Sequence, residues 1–213
     1  MRARAVILDF NGTLSDDEPI VCRLFQELFA EHGRPLPAQR YYDELAGLPD
    51  AEIVARWLGE DHPAFTAVIE QRVARYRAVA DGSTVREPAR RAVRYAAARV
   101  PVAIVSGAAR TEIDAVLAGA GIAELVSAIV SSDDIVHGKP HPEGHRRALE
   151  LLDDGIRPEE VIVLEDTEAG VAAAKASGMR CVALAGTLGP ERLAEAEELA
   201  ERLDVALMRR LLG

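Results

Sequence analysis

The sequence predicts an α/β fold: a doubly wound parallel sheet with an all-helical insert after its first strand. Two observations carry this expectation. Short, nearly continuous apolar runs alternate with segments of helical period, which is the pattern of strands covered on both faces by crossover helices. One stretch, from about residue 16 to 80, has helical period and no strand signal.

The first expected strand is Ala5–Leu8, and it runs directly into "DFNGTL". The insert follows. Ile20, Val21, Leu24, Phe25, Leu28 and Phe29 recur at helical spacing. Ser15 and Glu18 are spaced as a capping box at its entry, and Pro19 falls in the first turn, where its missing N–H costs little. Further helices are expected around Gln39–Leu45, Ala51–Leu58 and Ala64–Val79. "ADGSTVREP" leads back to the alternating pattern: helix Pro88–Arg99, strand Val102–Val105, helix Thr111–Ala120, strand Ala128–Val130, helix Glu143–Leu152, strand Val161–Leu164, helix Glu168–Ser177 and strand Cys181–Leu184. The expected division is a sheet domain, residues 1–15 and 82–213, and a helical domain, residues 16–81.

At 213 residues the chain can bury a sizeable core. A net charge of −10 argues against a nucleic-acid binder. It leaves room for an anionic small ligand, because a local site can oppose the global sign. Only two of the 25 basic residues are lysines, Lys139 and Lys175, so any lysine chemistry has two candidates. Cys22 and Cys181 make no C-x-x-C motif, which fits a reducing cytoplasm. The apolar run in "MRARAVILDF" is too short for a signal peptide, and no stretch approaches the roughly 20 apolar residues of a membrane helix. A cytoplasmic monomer without membrane or nucleic-acid partners is expected.

In an open parallel sheet, ligands gather at the carboxyl ends of the strands. Here those ends carry Asp9, Asn11, Gly12 and Thr13; then Ser106 and Gly107; then Lys139 in "GKPHP"; then Glu165 and Asp166. Each alone is ordinary, since a lone Asp at a strand end is usually a turn residue. All four sets in this order are a much rarer conjunction.

On these motifs the chain resembles the haloacid dehalogenase (HAD) superfamily, in its branch of helical-cap phosphatases and β-phosphoglucomutase-like enzymes. "DFNGTL" resembles motif one, "IVSGA" motif two, "GKPHP" motif three and "LEDTEAGV" motif four. The resemblance implies a Rossmann-like core with a helical cap, and a Mg²⁺-dependent phosphatase of a small phosphorylated metabolite. A sugar phosphomutase and a weakly active or non-enzymatic phosphate-ligand binder are the alternatives. It implies that Asp9 attacks phosphorus and becomes an aspartyl-phosphate. Mg²⁺ would be held by Asp9, Asp166 and the backbone carbonyl of Asn11, with Glu165 acting through a bound water. Ser106, Gly107 and Lys139 would hold the transferring oxygens, Lys139 also countering the charge on Asp9. Asn11, Gly12 and Thr13 would form the loop beneath the phosphate. Gly47, in "LAGLPDAEIV", would be the flexible point of a substrate-recognition loop.

One position departs from the pattern. Most phosphatases of this family carry a second aspartate two residues after the nucleophile, as proton donor and acceptor. Asn11 has no proton to transfer at neutral pH, and positioned acid–base catalysis is commonly worth about 10²–10⁴-fold. Four explanations compete: substrates with good leaving groups; a proton from water or from His32 or His62 in the insert; a substitution that leaves the site weakly active or purely binding; or a different reaction. A Schiff-base lysine, as in the phosphonate-cleaving relatives, is argued against because residues 16–81 contain no lysine. Glu165–Asp166 argues against the metal-free dehalogenases. On this reading Asn11→Asp should raise turnover of poor leaving groups.

Other groups read more plainly. His137, His141 and His145 flank Lys139, but loop polarity and helix capping explain them better than zinc. Asp16, Asp17 and Glu18 suit a helix N-terminus. Lys175 sits mid-helix, expected in solvent. Leu48, Pro49 and Asp50 follow Gly47 where several mutases have a basic residue, which disfavours a mutase; Arg23, Arg40 and Arg56 remain as possible phosphate grips.

Overall fold

The computed structural model describes residues 3–152 and 155–213; Met1, Arg2, Asp153 and Asp154 of the expected sheet domain lie outside them. In chain order the elements are β1 (Ala5–Leu8), α1 (Glu18–Glu31), α2 (Ala38–Arg40) continued by a π-helical turn (Tyr41–Leu45), α3 (Asp50–Leu58), α4 (Phe65–Val79), α5 (Glu87–Ala97), β2 (Val102–Val105), α6 (Arg110–Ala120), β3 (Ala128–Val130), α7 (Glu143–Leu152), β4 (Val161–Glu165), α8 (Glu168–Ala176), β5 (Arg180–Leu184), β6 (Glu198–Ala200) and α9 (Val205–Leu212).

All strand pairs are parallel, in the order β3-β2-β1-β4-β5-β6. The period of two divides each strand between two apolar layers. Val6, Leu8, Ile104, Ile162, Leu164 and Val182 pack with Ala92, Val93, Ile113, Val116, Leu207 and Met208 of α5, α6 and α9. Ala5, Ile7, Ala103, Val163, Cys181 and Ala183 pack with Ala148 and Val171 of α7 and α8. Helices on both faces explain why the strands read as unbroken apolar runs. The strand order reverses between β1 and β4, and the crevice above such a switch point is where doubly wound sheets bind ligands.

Residues 18–79 contain helices and their connections but no strand, built around α1, α3 and α4. Phe25, Phe29, Tyr41 and Trp57 form a chain of ring contacts, with centroids 5.3 to 6.3 Å apart. The two crossings between these helices and the sheet are joined. The Asp16 N–H donates to the Thr84 carbonyl (2.9 Å), and the Ser15 hydroxyl bonds to Thr84 Oγ1 (2.7 Å).

Two expectations are corrected here. The capping box of Ser15 and Glu18 does not form: Asp17 occupies the N-cap position of α1, Ser15 turns to Thr84, and Glu18 is buried against Tyr41. Burial of the apolar stripe rotates this turn inward. A sixth strand, β6, was not expected from "EELA", whose composition favours helix. It pairs only with β5, at the edge of the sheet, where backbone pairing outweighs propensity. No helix among the described residues is long and apolar enough to cross a membrane.

Candidate active site

Asp9 follows β1 and is buried beside Glu165, the last residue of β4, and Asp166 just after it. Lys139, from the loop between β3 and α7, donates to Asp9 Oδ1 and to Glu165 Oε1. The other oxygen of Glu165 accepts the backbone N–H groups of Asp166 (3.0 Å) and Thr167 (3.2 Å) and the Thr167 hydroxyl (3.0 Å). Both oxygens of Glu165 are thus engaged, so it anchors Lys139 and the start of α8. Thr13 donates its hydroxyl to Asp166 Oδ1 at 2.9 Å. Asp166 Oδ2 is buried without a hydrogen bond of good geometry, although the nearby Thr187 hydroxyl favours the charge of that carboxyl.

Asp9, Glu165 and Asp166 bring ligand oxygens within 4.8 Å of one another. Burial, opposed by Lys139 and reinforced by Glu165 and Asp166, pushes the Asp9 carboxyl well above its ordinary range. Burial and the neighbouring Glu165 push Asp166 up to about 8. Burial also disfavours the Lys139 charge, but Asp9 and Glu165 more than offset this and raise its pKa. Three buried carboxylates facing one ammonium leave excess negative charge and an orphaned oxygen. A hard divalent cation with oxygen ligands fits that environment. Gly12 makes the approach possible: its φ is +76°, and a Cβ there would meet Asp166 Oδ2 at 2.0 Å.

Asp9, Asn11, Ser106, Gly107 and Lys139 line one cavity of about 70 Å³. Ser106 follows β2, and its Oγ accepts the Ala108 N–H at 3.1 Å. The helices supply the roof: Glu18, Tyr41, Gly47, Leu48, Pro49, Asp50 and Arg72. Gly47 (φ +83°) lies directly over α8, where a Cβ would meet Thr167 Cγ2 at 2.5 Å. Gly12 and Thr13 line a second, larger cavity of about 580 Å³ that shares Glu18 with the first.

Sequence reasoning missed several charged groups here. Arg72 is buried. Its Nε donates to Asp50 Oδ2 (2.7 Å), while Nη1 and Nη2 reach Glu112 of α6 (2.6 and 2.9 Å). Glu18 accepts from the Tyr41 hydroxyl (2.7 Å), and burial raises it to about 7 despite that bond. Asp17, pushed up to about 6 by burial, accepts from the Tyr76 hydroxyl and from Asn11 Nδ2 (3.1 Å). Asp17 and Glu18 do stand at the N-terminus of α1, as the sequence suggests, but both are buried there, whereas Asp16 is exposed and pairs with Arg86. A signal existed: Asp17 stands four and eight residues before Val21 and Phe25, on the apolar stripe.

Arg23, Arg40 and Arg56 pair with Glu27, Glu44 and Glu52 on their own helices, and none lines the cavity around Asp9. His32 and His62 pack edge to face and lie outside its lining. Glu143 accepts the backbone N–H groups of Val136 (2.9 Å) and His137 (3.0 Å) and lies 2.9 Å from His137 Nδ1. These bonds shape the loop that presents Lys139. His145 is buried in the cavity wall, held neutral with a pKa of about 3 by burial and by Lys139. Lys175 pairs with Glu195.

Comparison with known proteins gives the family. The validoxylamine A 7'-phosphate phosphatase of Streptomyces hygroscopicus subsp. limoneus is 32% identical over 213 residues, covering 94% of each chain. CbbY from Rhodobacter sphaeroides, solved with phosphate, superposes with a TM-score of 0.83 at 26% identity over 95% of each chain. A mutant of that protein, solved with xylulose-(1,5)-bisphosphate, gives the same values. A family model described as haloacid dehalogenase-like hydrolase matches residues 3–178. The chain belongs to the haloacid dehalogenase-like hydrolase family.

Proposed function

We propose that this hydrolase is a Mg²⁺-dependent phosphatase of a small phosphorylated metabolite, acting through an aspartyl-phosphate on Asp9. The observation that carries the reading is the convergence of Asp9, Ser106 and Lys139 on one cavity, with Asp166 beside Asp9. Asp9 attacks phosphorus and the P–O bond to the leaving group breaks; water then releases phosphate and restores the carboxylate. Lys139 and Ser106 hold the phosphoryl oxygens, with the Gly107 backbone alongside. Asp9, Asp166 and the Asn11 carbonyl would hold the cation, with Glu165 adding charge and fixing Lys139. The cation supplies charge neutralisation between phosphate and carboxylate.

Residues 16–81 serve as a cap over a catalytic domain made of 1–15 and 82–213. About 70 Å³ is small beside the roughly 300–1,000 Å³ of typical ligand sites. The cap therefore opens to admit substrate, with Gly47 at the moving edge, and its closure excludes water from the first step. The lining favours a phosphatase over a phosphomutase. Its lysine and arginine side chains are Lys139 and Arg72, and each is already bound to two carboxylates. A second phosphate, as in the intermediate of a mutase, would find no uncommitted lysine or arginine among these residues. The molecule is proposed to work in the cytoplasm as a monomer, on a small substrate rather than on nucleic acid or membrane.

The test is a panel of mono- and bisphosphorylated metabolites assayed with Mg²⁺ and with chelator, using native protein and Asp9→Asn. Metal-dependent hydrolysis of monophosphates, absent in Asp9→Asn, is expected. Undiminished hydrolysis by Asp9→Asn, or in chelator, would overturn the reading. Without a transferable proton on Asn11, turnover should favour aryl and acyl phosphates over alkyl phosphates.

A further inference from the structure

The amide at position 11 has a buried partner whose chemistry dictates which way it faces. Asn11 lines the cavity with Asp9. Its Nδ2 donates to Asp17 Oδ2 at 3.1 Å, and the same oxygen accepts the hydroxyl of Tyr76 from α4. Asp17 and Tyr76 are both fully buried. An ionised carboxylate only accepts hydrogen bonds, so the nitrogen of Asn11 must face it. The amide oxygen is then the atom Asn11 offers to a bound molecule.

We propose that Asp17 is a positioning residue, which together with Tyr76 locks the Asn11 amide so that its oxygen is presented to the hydrolytic water or to a hydroxyl of the substrate. The proposal rests on the reading of the cavity as the phosphoryl site, and it supplies the role of the amide within it. Asn11 orients a hydroxyl or a water by accepting its hydrogen bond, and transfers no proton.

It also explains why an acid does not stand at position 11. A carboxylate there would lie about where Nδ2 now meets Asp17, some 3 Å from a second buried carboxylate, and the two would repel. Asp17 Oδ2 accepts from Tyr76 and Asn11, its Oδ1 is buried without a partner, and no cation stands beside it to offset that repulsion. The amide at 11 and the acid at 17 are therefore a matched pair. This reverses the expectation from sequence: Asn11→Asp alone should lower activity.

The experiment compares Asp17→Ala, Asp17→Asn, Asn11→Asp and Asn11→Asp with Asp17→Asn, using kcat and KM on p-nitrophenyl phosphate with Mg²⁺. Asp17→Ala should lower kcat about 10-fold with little change in KM, as expected for a misplaced reacting group. Asp17→Asn, which keeps an acceptor oxygen, should stay within about threefold of native. Asn11→Asp should lose about 10²-fold, and adding Asp17→Asn should recover at least about 10-fold of it. A merely structural Asp17 would shift the melting temperature but give no such recovery. The proposal falls if Asp17→Ala matches native kcat, or if Asn11→Asp equals or exceeds the double variant. A second readout is independent of turnover. The Asn11 side-chain N–H groups, followed by NMR hydrogen exchange, should lose at least about 10-fold of their protection in Asp17→Ala. Unchanged exchange would overturn the lock even if every variant is active. Intact protection with no hydrolysis by native protein would instead uphold the lock and defeat the phosphatase reading.

Discussion

The molecule buries acidic side chains around a basic one in two places, with opposite outcomes. Around Lys139 stand Asp9 and Glu165, with Asp166 adjacent, and one oxygen of Asp166 has no hydrogen bond of good geometry. Around Arg72 stand Asp50 and Glu112, and no side-chain atom of that group is left buried and unpartnered. Glu112 also accepts the Ala109 N–H (3.1 Å) at the start of α6, where the helix dipole favours its charge. The Arg72 cluster is complete, and it ties α3 and α4 to α6. The Lys139 cluster is incomplete, and it sits at the switch point of the sheet. A buried charge excess with an orphaned oxygen marks a ligand site; a buried charge group that satisfies itself marks a fastening.

The largest test of this contrast is chemical. Asp9→Asn should reduce hydrolysis by about 10³-fold or more, while its melting temperature holds or rises because one repelling charge has gone. A drop in melting temperature comparable with that of an Arg72 variant would erase the distinction. Next, Arg72→Met should destabilise the fold by about 3–5 kcal/mol, because Asp50 and Glu112 would stay buried without their cation. Urea unfolding measures this, and a loss under about 1 kcal/mol would mean the pair relaxes into solvent.

The pH dependence separates the two clusters more finely. Asp166 is raised to about 8, and Glu18 and Glu112 to about 7, mainly by burial. For acids raised on folding, the native state holds more protons than the unfolded chain, so stability falls as pH rises toward the folded pKa. His145, lowered to about 3, acts in the opposite sense but only below its ordinary value near 6.5. The metal-free protein should therefore lose melting temperature from pH 6.5 to 8. Mg²⁺ should restore the part due to Asp166, and Glu112→Gln should remove another part without touching the Mg²⁺ response. A flat profile would count against the buried charge excess. The smallest expected effect is at the roof. Gly47→Ala places a side chain at φ +83° against Thr167. A cost of about 1 kcal/mol should appear as a roughly fivefold rise in KM.

Much of the sheet could be read from the chain, because strands covered on both faces are apolar throughout. Ala5–Leu8, Val102–Val105 and Ala128–Val130 fall as expected. The edge strand β6 could not be read, since its apolar content is low and its pairing is set by β5. Within the site, the residues at strand ends were legible because topology alone brings those ends together. Arg72, Asp50, Glu112, Tyr76 and Asp17 were not. Their partners lie 22 to 59 positions apart along the chain, where a polar residue on a helix reads as a solvated face. Asn11 to Asp17 is the exception, only six residues apart. There the sequence showed both side chains but not the inward turn that joins them.

Ser15 and Asp16 are fastened to Thr84, so the chain leaves the sheet and returns to it through one stapled point. The buried Arg72–Glu112 pair is a second hold between the helices and the sheet domain, so the staple acts as an axis and the ion pair as a catch. If the helices open as proposed, that catch must release before Gly47 can lift from Thr167. Its strength would then govern how often the mouth opens, and a change at Glu112, far from any phosphate, could tune turnover by loosening it.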